Sequence, residues 1–517
     1  MNNLRYVIGI DIGTTSTKAV LFTEKGDTVC KHAVGYPLYA PTPETAEQDP
    51  KEIFSAVLTT VKKIISDSGI DPAQLLCLSF GTAMHSLIAV DAQGNLLTRS
   101  ITWADNRSAK WADKIKREQH GHEIYLRTGT PIHPMSPFVK LVWLRNEHPE
   151  VFEKAAKFIS IKEYIFYRLF QQYVVDYSIA SAMGLLNLKE LAWDKDALEI
   201  AGITEAKLSE LVPTTHILKP IQTECAEAMG IAADIPTVIG ASDGVLSNLG
   251  VGAIAPGIVA VTVGTSGAIR AVVDQPVTDP QERLFCYALT EKHWVVGGAV
   301  NSGGIALRWV RDQLTDTEVR AAQRLGKDPY ELITMLAETV PAGSDGLIFH
   351  PYLMGERSPL WDANARASYF GLSASHTKAH LVRAVLEGIL YNLYLVLEAL
   401  EDFTGKITRV QATGGFARST LWRQMMADVF NRDVTIPEQY ESSCLGSAVL
   451  GLYALKKISS LNIVSEMIGE THRHQPIAAN VERYQKILPI YTRILETLKG
   501  EYESIARLQA ELTKPDG

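Results

Sequence analysis

The sequence predicts a mixed α/β protein built from two related domains. Three observations lead there. The 517 residues exceed what one core of about 150 residues organises, so more than one compact unit is required. Strand-like apolar runs alternate with stretches of helical period, the pattern of sheets covered by helices. Shifting the chain on itself by 264 − 13 = 251 positions lays Val259, Val261, Val263, Gly264, Thr265 and Ser266 over Ile8, Ile10, Ile12, Gly13, Thr14 and Thr15. The boundary is placed in the glycine-rich stretch that opens near residue 252, giving an N-terminal domain over 1–252 and a C-terminal domain over 253–517 that includes C-terminal helices.

Each element follows from local chemistry. Residues 6–12 are apolar and run into the polar turn Gly13-Thr14-Thr15-Ser16-Thr17 before a second apolar run at 19–22, which reads as strand, turn, strand. Residues 50–66 set Ile53, Val57, Val61, Ile64 and Ile65 on one helix face, and 75–80, 87–90 and 238–241 return to strand chemistry. Residues 244–269 carry no charge and are long enough to cross a bilayer, yet Pro256 and six glycines direct the reading to turns and buried strands. A strand over 410–412, a glycine turn and a helix over 421–429 follow, and Tyr484, Ile487, Leu488, Ile490, Ile494 and Leu498 predict a C-terminal helix packed on the second domain.

Composition narrows the function. With 50 basic and 58 acidic residues the net charge is −8, which offers no footprint for a phosphate backbone, so neither nucleic acid nor a membrane is an expected partner. Five widely spaced cysteines read as buried thiols of a reducing compartment. Only Arg5 precedes Asp11, so no signal peptide or anchor is expected and the cytoplasm is the expected location. The histidine pairs His120/His122, His376/His380 and His472/His474 lack further ligands nearby, which speaks against structural zinc.

Several short segments carry chemistry. Gly13, Thr14, Thr15 and Lys18 supply flexible backbone N–H groups, hydroxyls and a cation, the needs of phosphate oxygens, and Asp11 just before them is placed to hold Mg²⁺. The alternative is a polar hairpin with a solvated lysine. The repeat at Gly264-Thr265 offers a second phosphate turn, so the pair reads as two hairpins, one per domain, gripping a nucleoside triphosphate in a cleft between the domains. No Walker A loop occurs, and Gly250-Val-Gly252 is followed by Pro256-Gly257 rather than a helix, so it only imitates a dinucleotide fingerprint. Asp243, after the apolar run 238–241, is the candidate general base; the alternative is an Asp-Gly turn capping a helix. Trp103, Asp105 and Arg107 suit a sugar face and its vicinal hydroxyls, with Met84-His85 a further contact; an exposed ion pair and a core histidine are the bland alternatives. Gly414 and Gly415, after Thr413, permit close approach of a flat base or ribose, or serve packing alone.

Taken together, Asp11-x-Gly-Thr-Thr, Trp103-x-Asp-x-Arg107, Gly240-Ala-Ser-Asp243 and Thr413-Gly-Gly, in this order, resemble the FGGY family of carbohydrate kinases over residues 6 to about 455. Pro137-x-x-Lys140-Leu-x-Trp143 and Ala367-x-Tyr369-x-Gly371-Leu372, followed by His380-Leu-x-x-Ala384, add to the likeness. Within the family the chain is most similar to members that act on a sugar acid, D-gluconate, through residues 101–108, 127–134, 173–177 and 245–250. The resemblance implies an actin-like, ribonuclease-H-type duplicated fold, with ATP and Mg²⁺ as cofactors and a sugar acid as the partner molecule; a homodimer is compatible with it. It makes Asp243 the base and Asp11 a metal-side carboxylate, with Thr14, Thr15 and Thr265 on phosphates and Gly304, Gly415 and Ser419 on the nucleotide side.

Departures and alternatives stay open at this point. Ala83-Met84-His85-Ser86 stands where pentulose kinases of the family show Gln-Met-His-Gly, and Arg308 stands where relatives such as glycerol kinase carry Gln, so Arg308 is left out of the nucleotide set. Arg127, His133 and Lys140 are candidates to neutralise a substrate carboxylate. A xylulokinase-like pentulose kinase is the alternative within the family. Gly240-Ala-Ser242-Asp-Gly244 also fits a serine-hydrolase elbow with Ser242 as nucleophile, and a non-catalytic sugar sensor is a third class, although no basic helix-turn-helix extension is evident.

Overall fold

A computed structural model describes residues 4–438 and 441–512. Strand β1 (Tyr6–Ile12) turns through Gly13 into β2 (Ser16–Thr23), and the chain returns as the exposed edge strand β3 (Thr28–Gly35), which the sequence reading did not foresee. Helix α1 (Pro50–Ser68) begins where the Asp49 carboxylate accepts the Lys51 N–H 2.8 Å away and Pro50 presets φ, and it buries Ile53, Val57, Val61 and Ile64. There follow β4 (Leu75–Thr82), α2 (Pro137–Glu147), α3 (Ile161–Phe170), α4 (Tyr177–Ala182), β5 (Ile217–Leu218), β6 (Thr237–Ser242) and α5 (Asp243–Gly250). The uncharged stretch from 244 thus opens as a helix rather than as turns and strands.

The second half holds β7 (Ile258–Val263), β8 (Gly267–Val273), β9 (Phe285–Thr290), β10 (His293–Val300) and α6 (Gly304–Gln313). It continues with α7 (Lys378–Thr404), β11 (Arg409–Thr413), α8 (Thr420–Phe430), β12 (Asp433–Pro437), α9 (Ser442–Ala454), β13 (Glu470–His474) and α10 (Ala478–Leu512). Helix α7 is long and apolar enough to cross a membrane, but 78% of its most apolar window is buried in the protein, as a core helix would be.

Two sheets share one topology. The first has the order β5-β6-β4-β1-β2-β3, the second β9-β10-β8-β7-β11-β12-β13. In each, the opening strand pairs antiparallel with its hairpin partner and parallel with a later strand (β1 with β4, β7 with β11). That strand pairs parallel with the next (β4 with β6, β11 with β12), which carries a short antiparallel neighbour (β5, β13). The 251-position repeat is therefore the opening hairpin of both sheets. The duplicated fold expected from the sequence is the one observed.

The described residues fall into two compact units, one from 1–255, 272–296 and 441–469 and the other from 256–271, 297–440 and 470–517. Helix α9 joins the first unit through three glycines. A Cβ at Gly9 would lie 2.0 Å from the Cys444 carbonyl oxygen, one at Gly250 1.8 Å from that of Ser442, and one at Gly446 1.9 Å from that of Leu246. Only bare backbone lets α9 lie against β1 and α5 at that distance.

Candidate active site

In the first unit the turn after β1 is held on several sides. Gly13 N–H donates to the Ser16 carbonyl at 3.0 Å, and the Tyr36 hydroxyl donates to the Gly13 carbonyl at 2.7 Å. Gln48 Nε2 donates to the Thr14 carbonyl at 2.6 Å, while Trp103 Nε1 donates to Thr14 Oγ1 at 3.0 Å. The indole thus joins the expected sugar site to the expected phosphate turn. Thr15 is exposed.

Asp11 points from β1 into this neighbourhood. Its Oδ2 accepts the Ser443 hydroxyl at 2.7 Å, but Oδ1 is buried with no hydrogen-bond partner. Burial raises the carboxyl pKa, opposed by Ser443 and the Lys18 charge. An acceptor-only oxygen left without a donor in a dry site fits a cation, and a single carboxylate suits Mg²⁺, which keeps most of its water and phosphate ligands. No cluster of three or more His, Cys, Asp or Glu occurs among the described residues, so a metal caged wholly by protein is not what the site provides. Lys18 Nζ lies 2.5 Å from Glu441 Oε2, and Lys31 binds the other oxygen at 3.1 Å, so the lysine charge is already countered. Ser443 and Glu441 were invisible to sequence reasoning because they lie more than 400 positions from Asp11 and Lys18.

The polyol candidates also meet here. Asp105 is buried, not an exposed pair: it accepts the Ala46 N–H at 2.9 Å and Arg107 Nε at 2.9 and 3.0 Å. Arg107 continues to Glu47 Oε1 at 2.6 Å and lies 4.8 Å over the Trp143 ring. The His85 Nδ1 lies 2.7 Å from the Ala182 carbonyl, which can only accept; Nδ1 therefore carries the proton and Nε2 is left as an acceptor, 3.5 Å from the Tyr287 hydroxyl. Lys140, fully buried, donates to the backbone carbonyls of Met135 and of His85, the latter at 3.3 Å, and burial pushes its pKa down to about 7. It braces the backbone of His85, whose φ is +69°. Met84 packs on the surrounding core. Arg127 pairs through Nε and Nη2 with Asp194 at 2.6 Å and with Asp196 at 2.8 Å. The His133 Nδ1 accepts the Met135 N–H at 3.1 Å.

Asp243 is the first residue of α5, directly after β6. Its Oδ1 accepts the Gly244 N–H at 2.6 Å. Beneath it the buried Lys162 donates to Asp176 at 2.7 Å and to the Ala241 carbonyl at 3.2 Å, tying the end of β6 to α3. Ser242, the hydrolase candidate, is buried with its Oγ accepting the Ser178 hydroxyl at 3.1 Å. A serine donor in place of a histidine base is not a nucleophile's environment.

The second unit carries a cavity of about 770 Å³. Val263, Gly264, Thr265 and Gly304 line one side, Gly415 and Ser419 another, with Phe416 and Trp422 as aromatic wall. The turn is held by backbone: Gly264 N–H donates to the Ser266 carbonyl at 2.8 Å, Gly304 N–H to the Gly264 carbonyl at 2.7 Å and Ile305 N–H to the Thr265 carbonyl at 3.0 Å. Ser419 Oγ accepts the Trp422 N–H at 3.2 Å and caps α8. Gly414 is not on the wall; at φ +105° it lets β11 pass the Val263 carbonyl, 2.3 Å from where a Cβ would stand. Arg308, set aside on sequence grounds, lines the cavity, as does Arg418. The slot offers apolar surface, hydroxyls, N–H groups and two guanidiniums that can take a base, a ribose and phosphates, with Asp328, Glu331 and Glu338 also on its lining.

A strand-end carboxylate and clustered polyol candidates in one unit, with a cavity suited to a nucleotide in the other, fit the pattern of a sugar kinase. The models of the FGGY family of carbohydrate kinases match the chain, the N-terminal domain at residues 6–250 and the C-terminal domain at 259–455, and the chain belongs to this family. It is 58% identical to a gluconokinase of Bacillus licheniformis over 98% of this chain and 99% of that one. Solved structures of a gluconate kinase and of a ligand-bound xylulose kinase, both from Lactobacillus acidophilus, each superpose with a TM-score of 0.92 at 40% identity, covering 97% of this chain and 100% of theirs.

Proposed function

We propose that the protein transfers the γ-phosphoryl group of ATP to the C6 hydroxyl of D-gluconate, giving 6-phosphogluconate and ADP. The observation that carries gluconate is the 58% identity to a gluconokinase along nearly the whole of both chains. Asp243 accepts the hydroxyl proton as the C6 oxygen bonds to the γ-phosphorus and the bond to the ADP oxygen breaks. His85, Trp103 and the Asp105–Arg107 pair orient the polyol, and Lys140 and Lys162 fix the backbone of His85 and of the β6 end. Thr14 and Thr15 of the first unit, and Gly264, Thr265 and Gly304 of the second, are the phosphate-binding candidates, with Gly415 and Ser419 the nucleoside-side candidates. Asp11 would hold Mg²⁺, which supplies charge neutralisation on the phosphate oxygens. A reaction fed by ATP supports a cytoplasmic location.

A pentulose acceptor is the second reading, favoured by the 40% identical xylulose kinase and weakened by Ala83 and Ser86 around Met84-His85. ADP release measured with gluconate, xylulose, ribulose, glycerol and fuculose separates them: gluconate should give the highest kcat/KM. Faster turnover of a pentulose transfers the assignment to that sugar, and no sugar-dependent ADP release removes the kinase reading.

A further inference from the structure

The nucleotide turn of the second unit rests on a buried carboxylate. Glu356 is fully buried and accepts three nitrogens: the Asn301 N–H and, at 2.8 Å, the Arg357 N–H on Oε1, and Asn392 Nδ2 on Oε2 at 2.9 Å. Arg357 closes the same clamp, with Nε 2.8 Å from Asn301 Oδ1 and Nη2 3.2 Å from the Val300 carbonyl. Asn301 Nδ2 also donates to the Met354 carbonyl at 3.2 Å. Asn301 is thus held by main chain and side chain at the point where β10 leaves the sheet. Three residues on, Gly304 and Ile305 hydrogen-bond the carbonyls of Gly264 and Thr265. A Cβ at Gly303 would lie 2.6 Å from the Ser266 carbonyl oxygen, so this segment has no slack to move independently of the phosphate turn.

We propose that Glu356, clamped with Arg357 on Asn301, is a positioning residue that sets the Gly264–Thr265 turn for the triphosphate. The proposal rests on the reading that ATP occupies the second unit's cavity. Burial also raises the Glu356 pKa to about 7, against the Asn301 and Arg357 N–H groups and the Arg357 charge. The other groups facing it are the Ser302 and Tyr352 hydroxyls, Asn392 of α7 and the Tyr491 hydroxyl of α10. Protonation turns an acceptor into a donor facing N–H donors, so the clamp weakens as the pH falls.

The test is Glu356→Gln, which keeps size and removes the charge. Its KM for ATP should rise roughly tenfold, the scale of a compromised buried hydrogen bond, with KM for gluconate unchanged. In the wild type KM for ATP should climb as the pH falls through about 7, whereas in Glu356→Gln it should be high and flat. Asn301→Ala, which keeps the N–H on Glu356 but removes the side-chain bonds to Arg357 and Met354, should give a smaller rise in KM for ATP in the same direction. Equal losses in kcat and both KM values, or parallel pH profiles in the two proteins, would overturn the proposal. Calorimetric titration of the wild type with ATP keeps the two failures apart: no ATP binding there defeats the nucleotide reading, while normal binding with an unaltered Glu356→Gln defeats only this inference.

Discussion

The two glycine-threonine turns began as one pattern and are supported in opposite ways. Gly13-Thr14 is fastened by side chains, through Tyr36, Gln48 and Trp103, whereas Gly264-Thr265 is fastened by the backbone of Gly304 and Ile305 and opens onto the cavity. The charged positions differ as well. Asp11 and Lys18 of the first copy correspond, 251 positions on, to Thr262 and buried Ile269. Thr262 Oγ1 sits 3.1 Å from Thr413 Oγ1 and needs no cation. The first copy carries charge on its hairpin strands, whereas the matching positions of the second are uncharged.

That contrast sets the order of the expected effects. Asp11→Asn should lower kcat on the order of 100-fold and weaken its dependence on Mg²⁺ concentration, because it removes the carboxylate proposed to hold Mg²⁺; Thr262→Val at the matching position should change kcat less than about twofold. Steady-state kinetics across a Mg²⁺ series checks both, and similar losses would erase the distinction between the copies. Gly304→Ala would place a Cβ 2.8 Å from the Gly264 carbonyl oxygen and should raise KM for ATP roughly tenfold while sparing KM for gluconate.

Lys140 gives a stability signature confined to the first unit. Its pKa is about 7 in the folded protein against 10.5 for the free side chain, so between these values the unfolded chain binds more protons and wild-type stability rises with pH. Below about 7 both states are protonated and the buried charge costs its full amount. The melting temperature of wild type relative to Lys140→Met should therefore climb from neutral pH to alkaline pH, and parallel melting curves would contradict it. Ser242→Ala should change kcat less than about tenfold, which separates the kinase from the hydrolase chemistry.

Much of this was legible in the sequence because it is local. The hairpin at Gly13, the strand-end placement of Asp243 and the helix face of Ile53, Val57 and Val61 follow from period and turn chemistry over a few residues. What was not legible is long-range. Asp105 is held by Ala46 and its partner Arg107 by Glu47, the partnered oxygen of Asp11 is met by a serine at 443, and the clamp at Glu356 reaches a loop 55 positions upstream. Arg308 was left out because it stands where relatives such as glycerol kinase carry Gln, yet the fold brings it to the cavity wall.

The most direct measurement is Asp243→Asn, assayed for ATP binding by calorimetry and for gluconate-dependent ADP release. Loss of a general base and its charge should remove turnover by about 1,000-fold or more while leaving the dissociation constant for ATP near that of the wild type. Turnover within a few fold of wild type would show that the proton leaves the hydroxyl by another route.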